Sequence, residues 1–192
     1  MIKTQFPQVT IAIAFLGPLV GSLVRPIGGL LADKFGGAIL TFWNFIAMAA
    51  ATIGVLYFVG IKDFTGFLVM FLILFATTGI GNGSTYRMIP SIFREQNLFK
   101  ARGKGEAARA DALKAASIES GAAVGFIGAV GAVGGFLIPL GFGKSIAVTG
   151  GPQLALMIYL AFYAICLATT WWFYLRKGPR SASAASLAEA RI

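Results

Sequence analysis

The sequence has little charge and few of the side chains that enzymes use for chemistry. Only 12% of its 192 residues are charged, seven are acidic, and histidine is absent. The single cysteine, Cys166, excludes a disulfide framework and a cysteine-rich metal cluster. We find no phosphate-binding loop, no paired carboxylates and no nucleophile with a neighbouring base. The sequence therefore predicts no enzyme and no cofactor or metal, and a histidine proton relay within the chain is excluded.

Apolar side chains, in contrast, are abundant. They make up 57% of the residues, and the mean hydropathy is +0.81. Five apolar stretches of roughly 20 residues are each long enough to cross a hydrocarbon core of about 30 Å as a helix. They cover about residues 9–31, 39–60, 66–89, 118–140 and 152–175. We therefore predict an all-α fold, a polytopic membrane bundle of five transmembrane helices.

The remaining segments are polar. Residues 91–117 contain six lysines or arginines and three acidic residues, and they predict a long inner loop. This loop is either a solvated connector that sets the topology or a short helix on the membrane surface. We assign 1–180 to one transmembrane unit and 181–192 to a disordered tail. The start, MIKTQFP, lacks the pattern of a removable signal peptide.

The net charge of +9 would suggest nucleic acid in a soluble protein, but here it follows the topology. If the turn at residues 33–34 lies in the cytoplasm, eleven lysines and arginines fall inside, and three fall outside: Lys3, Lys62 and Lys144. Such a bias sets the orientation of membrane proteins. We predict a multi-pass protein of the plasma (inner) membrane, with its N-terminus outside, its C-terminus in the cytoplasm, and no nucleic-acid partner.

One arginine, Arg25, lies inside the first span. A charge there is costly unless water, a partner or an anion satisfies it. Pro26 frees the carbonyl of Ser22 and favours a bend in the helix. The planar guanidinium can donate two parallel hydrogen bonds to one small oxyanion such as nitrate. Anion binding, an internal salt bridge and a structural role with the side chain extended to the interface all remain open for Arg25.

The third span has a polar stripe. Asn82 and Tyr86 are four residues apart and share a face with Thr78, and such a stripe usually faces the interior of a bundle. Arg87 points about 100° away from Tyr86 around the helix. We expect Arg87 to extend toward the basic loop, an interpretation we favour over a ligand role.

The fourth span is rich in glycine. Gly121, Gly125, Gly128 and Gly135 fall within about 80° of one another on a helical projection, with Gly131 beside them. Such a groove allows another backbone, or a small ligand, to approach closely. The spacing alone leaves both alternatives open.

Two motifs resemble a known family. GLLADKFGG, residues 29–37, resembles the cytoplasmic-turn motif of the major facilitator superfamily. GSLVRPIGG together with AAVGFIGAVGAVGGFLIP resembles the nitrate/nitrite porter family, whose glycine-rich signature recurs in the eleventh helix. The resemblance covers essentially the whole chain and matches it to helices 8 to 12 of a twelve-helix transporter.

The resemblance implies transport of nitrate or nitrite by alternating access, through exchange or proton coupling. In that family two arginines hold the substrate; one matches Arg25, and the other belongs to helix 2, outside the matched part. Tyr86 matches an aromatic residue that closes over the substrate, and Gly128 stands where some members have a hydroxyl. The implied substrate pocket comprises Arg25, Tyr86, Asn82, Gly125 and Gly128. The implied inner gate comprises Gly29, Asp33, Lys34 and Gly36. The implied packing glycines are Gly121, Gly131 and Gly135.

The family interpretation also implies partners. The chain would be a C-terminal fragment that works with the anion, the lipid bilayer and a missing N-terminal half of the transporter. Two alternatives remain open: a truncated membrane fragment without transport activity, and a facilitator for another small anion such as a short carboxylate.

Overall fold

The computed structural model describes Phe6 and residues 11–175. In that part the chain is helical apart from short turns and contains no strand. After a 3-10 turn at Ile11–Phe15 come five helices: α1 (Leu16–Phe35), α2 (Gly37–Gly60), α3 (Phe64–Lys100), α4 (Glu106–Thr149) and α5 (Gln153–Thr170). A π-helical turn, Trp171–Leu175, extends α5. All five helices, α1 and α5 together with their adjoining turns, are long and apolar enough to cross a membrane. The predicted all-α fold is confirmed.

The connection between the third and fourth helices is shorter than the sequence predicted. α3 continues through Pro90 to Lys100 and α4 begins at Glu106, so non-helical backbone within the polar stretch 91–117 is confined to residues 101–105. Packing between the two helices explains the difference, because the buried amide of Asn97 donates a 2.8 Å hydrogen bond to the Glu119 carboxylate. The polar composition was therefore a poor guide to where these helices end. The predicted disordered tail, 181–192, lies outside the described residues.

Short turns reverse the chain between helices. Gly36 is the only residue between α1 and α2, and its φ of 88° is a conformation that favours glycine. Its N–H donates to the carbonyl of Ala32, which ends α1. Asp63 caps α3 by accepting hydrogen bonds from the N–H groups of Thr65 and Gly66. Tight turns of this kind make successive helices antiparallel.

α3 is the central helix of the bundle. It packs on α1, α2 and α4, and α2 packs in addition on α5. At one end, Phe67 packs in a buried cluster with Val55 and Val59 of α2 and Leu156 of α5. At the other end, buried Ala38 and Met88 pack against Ile92 and Tyr174. The α1–α2 turn, the far end of α3 and the end of α5 therefore lie at one end of the bundle, which we call the basic end after the lysines and arginines of residues 94–114.

Candidate functional site

A seam of glycines brings α1 and α3 into backbone contact. Because glycine has no Cβ, two helices can approach until the backbone of one touches the backbone of the other. A Cβ added at any of three glycines here would overlap a carbonyl oxygen of the facing helix. These contacts are Gly79 against the Gly21 carbonyl, Gly83 against the Arg25 carbonyl, and Gly28 against the Ile80 carbonyl. The seam fixes the backbone of Arg25 relative to α3.

Sequence reasoning missed this seam, although its signal is present. Gly79 and Gly83 are four residues apart, as are Gly17 and Gly21, and this small-xxx-small spacing is typical of close helix pairs in membranes. The glycines predicted to pack lie elsewhere, on α4. A Cβ at any of these three would meet nothing within 4 Å in the described part of the chain: Gly121, Gly131 and Gly135. Their packing role stays a prediction.

Arg25 lies beside the ring of Tyr86. The Cζ atom of Arg25 is 5.1 Å from the ring centroid, within the range of a cation–π interaction. Arg25 is exposed, and it forms no ion pair with any residue that the structure describes. The internal salt bridge that the sequence left open for Arg25 is thus not observed in that part of the chain. Its N–H groups are available to a ligand.

An open cleft of about 460 Å³ lies around this pair. Because Pro26 has no N–H, the carbonyl of Ser22 lacks the donor that an ordinary residue would supply, and both residues line the cleft. The cleft thus combines two guanidinium groups, a tyrosine ring and a serine hydroxyl with closely packed backbone. Its lining residues come from α1 and α3: Ser22, Arg25, Pro26, Gly29, Gly83, Tyr86 and Arg87.

The other predicted pocket residues are distributed unevenly. Gly128 of α4 faces Tyr86, because a Cβ at Gly128 would lie 3.5 Å from the tyrosine hydroxyl. Asn82 is exposed, and neither Asn82 nor Gly125 lines the cleft. The structure therefore brings together Arg25, Tyr86 and Gly128, and it places neither Asn82 nor Gly125 in the lining of the cleft.

The predicted gate residues make different contacts from one another. Gly29 lines the cleft, and Gly36 forms the turn. The Asp33 carboxylate accepts a 2.9 Å hydrogen bond from Nε of Arg87, whereas the Lys34 ammonium lies 5.4 Å from the Phe35 ring centroid. Asp33 is thus linked to α3, and Lys34 stays on its own helix.

Arg87 has a partner that the sequence did not predict, and its extension toward the basic loop stays a prediction. It lines the cleft and pairs with Asp33. Arg87 lies four residues, about one turn, beyond Gly83 on α3. Because α1 and α3 pack in parallel, the end of α1 lies beside that turn and supplies the carboxylate of Asp33. A projection of α3 alone gives a direction around the helix but not the neighbour in that direction.

Buried hydroxyls support α3 from behind the cleft. Ser84 follows Gly83 and is fully buried, and its hydroxyl lies 3.2 Å from the hydroxyl of Thr41 on α2. Ser84 also donates to the carbonyl of Gly81. Asn44 of α2, also buried, donates to the sulfur of Met48 one turn along its own helix. Of these contacts, the one between Thr41 and Ser84 joins α2 to α3.

The fold and the cleft define a class of protein: a polytopic α-helical membrane protein with an arginine, free of any ion pair in the described residues, beside an aromatic ring between two parallel helices. No family model matches the chain. It is 45% identical, over 93% of its length, to the nitrate/nitrite transporter NarU of Salmonella typhimurium, and 45% identical over 91% to that of Escherichia coli. It is 32% identical over 86% to the probable nitrate/nitrite antiporter NarK2 of Thermus thermophilus. The predicted assignment to the nitrate/nitrite porter family of the major facilitator superfamily is therefore confirmed.

The match covers only part of each relative. The chain spans 39% of the length of the Salmonella protein, 38% of the Escherichia protein and 33% of the Thermus protein. The described cleft is accordingly built from the elements that correspond to about a third of such a transporter.

Proposed function

We propose that this chain supplies one wall of the anion pathway in a nitrate/nitrite transporter that works by alternating access. The observation that carries the proposal is Arg25: an exposed guanidinium in an apolar span, beside Tyr86 and without an ion pair in the described part of the chain. An arginine within a membrane span costs about 2.5 to 3.5 kcal/mol or more when nothing satisfies it. A bound anion offsets that cost.

Arg25 would bind the anion with the planar edge of its guanidinium. Nitrate and nitrite are small planar monoanions, and two parallel N–H groups match two of their oxygens. The Tyr86 ring would hold the guanidinium in one orientation by the cation–π contact. Asn82, Gly125 and Gly128 would complete the pocket once further segments close the cleft.

The remaining walls of the pathway would come from the part of a transporter that this chain does not match. The open glycine face of α4 suits close contact with such a segment, because its glycines meet nothing within 4 Å in the described part of the chain. We favour anion exchange over proton symport, since an arginine keeps its proton and the sequence contains no histidine.

The orientation follows from the charges. The lysines and arginines of residues 94–114 and Lys34 lie at the basic end, whereas Lys62 and Lys144 lie at the opposite end. By the positive-inside rule we place the basic end in the cytoplasm of the cell's inner (plasma) membrane. Gly29, Asp33, Lys34 and Gly36 would then act at the cytoplasmic gate.

The test is a chimera in which this chain replaces the matching segment of the Salmonella relative. Nitrate uptake into proteoliposomes is measured for the chimera and for its Arg25→Lys and Arg109→Lys variants. We expect Arg25→Lys to lower uptake about tenfold or more, because lysine lacks the planar fork. Arg109→Lys, at an exposed position outside the cleft, is the matched control.

Equal uptake by the Arg25→Lys variant and the unmodified chimera would overturn the ligand role of Arg25. Competition between labelled nitrate and a short carboxylate, at constant ionic strength, identifies the substrate. If the carboxylate competes more strongly than nitrite does, the proposed substrate becomes a short carboxylate instead of nitrate.

A further inference from the structure

The cleft contains a second guanidinium. Arg87 lines the same cleft as Arg25, although it lies on α3 and beyond Tyr86. We infer that Arg87 is a second anion-binding station and that the carboxylate of Asp33 competes with the anion for it. The inference rests on the proposed anion pathway and adds to it a second anion-binding site, at which the Asp33 carboxylate competes with the anion.

The ion pair leaves most of the Arg87 guanidinium unused. Its hydrogen bond to Asp33 is made through Nε alone, at 2.9 Å, and it makes no other side-chain hydrogen bond to residues that the structure describes. The two terminal nitrogens of an arginine carry four further N–H donors. They are sufficient for bidentate binding of a planar oxyanion.

Both partners of the ion pair are reachable from outside the helices. The side chains of Arg87 and Asp33 are 63% and 49% exposed. Where water fills the cleft, an exposed pair of this kind gains little free energy and is screened by salt. A small anion at millimolar concentration is therefore a realistic competitor for the carboxylate.

The two arginines are staggered along the helix axis. Gly83 touches the carbonyl of Arg25, and Arg87 follows four residues later, about 6 Å nearer the basic end. Asp33 is eight residues beyond Arg25, about 12 Å along α1 in the same direction. Two weak sites in series let an ion enter and leave more readily than one strong site. Arg87 is thus placed to receive the anion between the Arg25 site and the basic end.

Occupation of this station would also loosen the structure locally. The Asp33–Arg87 pair joins the end of α1 to α3 at the basic end, where only Gly36 separates α1 from α2. An anion on Arg87 replaces the carboxylate as its partner and so removes that link. Passage of the anion is thereby coupled to release of the α1 end.

The test uses the 192-residue chain in detergent and counts bound ¹⁵N-nitrate by NMR titration. We expect two sites in the unmodified chain, and one each in the Arg25→Gln and Arg87→Gln variants. Asp33→Asn removes the competing charge, so the affinity of the second site should rise about two- to fivefold, the effect of losing an exposed ion pair. In the double variant Asp33→Asn/Arg87→Gln this rise should be absent. Circular dichroism confirms helicity in each variant, and Arg87→Lys, which keeps the charge without the fork, provides a second test.

The outcomes separate this inference from the proposed function. If the unmodified chain binds one nitrate, and that binding is lost in Arg25→Gln but kept in Arg87→Gln, then Arg87 is not a second binding site and the proposed role of Arg25 stands. Loss of a site in Arg87→Gln, with no change in Arg25→Gln, supports the second station and overturns the proposed ligand role of Arg25. If Asp33→Asn lowers nitrate affinity, the ion pair is purely structural and the competition is refuted.

Discussion

A side chain at Gly83 would overlap the carbonyl oxygen of Arg25, so these two residues hold α1 and α3 at backbone contact. The residue that positions the candidate anion ligand is therefore on another helix and has no side chain. Any atom added there must push α1 away from α3, and Arg25 moves with α1. The contact between Arg25 and Tyr86 depends on the same spacing, because Tyr86 is three residues beyond Gly83.

Gly83→Ala is expected to destabilise the chain and to weaken nitrate binding. Overpacking of a close interface costs about 1 to 3 kcal/mol, since the clash is with backbone and not with a movable side chain. Unfolding in mixed micelles measures the stability, and nitrate titration measures the binding. Gly131→Ala is the control, because its added Cβ meets nothing within 4 Å in the described part of the chain. Equal stability of the two variants would contradict the glycine seam.

Tyr86→Leu is expected to lower nitrate affinity about two- to fivefold. An exposed cation–π contact contributes about 0.5 to 1 kcal/mol, and leucine removes the ring that orients the Arg25 guanidinium. Tyr86→Phe keeps the ring and should stay close to the unmodified affinity. The measurement is nitrate titration of all three proteins at constant ionic strength. Equal affinities for the leucine and phenylalanine variants would rule out an orienting role for the ring.

Asn97→Ala is expected to destabilise the junction of α3 and α4. The buried amide donates to the Glu119 carboxylate at 2.8 Å, and a hydrogen bond to a charged group contributes about 1.5 to 3 kcal/mol. Hydrogen exchange should show faster amide exchange around residues 93–97 and near Glu119. Gln96→Ala, at the exposed neighbouring position, is the matched control. Glu119→Gln keeps an acceptor oxygen and should therefore have a smaller effect than Asn97→Ala. Equal exchange rates in Asn97→Ala and Gln96→Ala would show that the hydrogen bond between Asn97 and Glu119 does not stabilise the junction.

The apolar runs were enough to predict the helices, because about 20 apolar residues form a helix wherever they cross a bilayer. They were not enough to predict where α3 and α4 end. Residues 91–117 are polar, yet most of them are helical, since Asn97 and Glu119 join the two helices beyond the apolar run. The polarity of a segment therefore does not determine whether it is helical, and packing between the two helices determines where they end.

The site was predicted in part for a similar reason. Arg25 and Tyr86 were singled out as a charge in an apolar span and as part of a polar stripe, and the family resemblance implied their roles. The structure places them side by side. The partner of Arg87 was not predicted, because its contact with Asp33 joins positions 54 residues apart through the packing of two helices that are not consecutive. Periodicity describes one helix at a time. The local signals of that packing were the four-residue spacings of Gly79 with Gly83 and of Gly17 with Gly21.

The central position of α3 determines when α1 can pack during synthesis of the protein. α1 is complete at residue 35, but the seam on α3 that receives it extends to Gly83, 48 residues later in the sequence. At a synthesis rate of about 5 to 20 residues per second, the ribosome needs about 2 to 10 s to reach that point. During this interval Arg25 has neither the seam nor the Tyr86 ring. The nascent chain must therefore keep that charge hydrated, in the insertion machinery or at the membrane surface, until its third helix arrives.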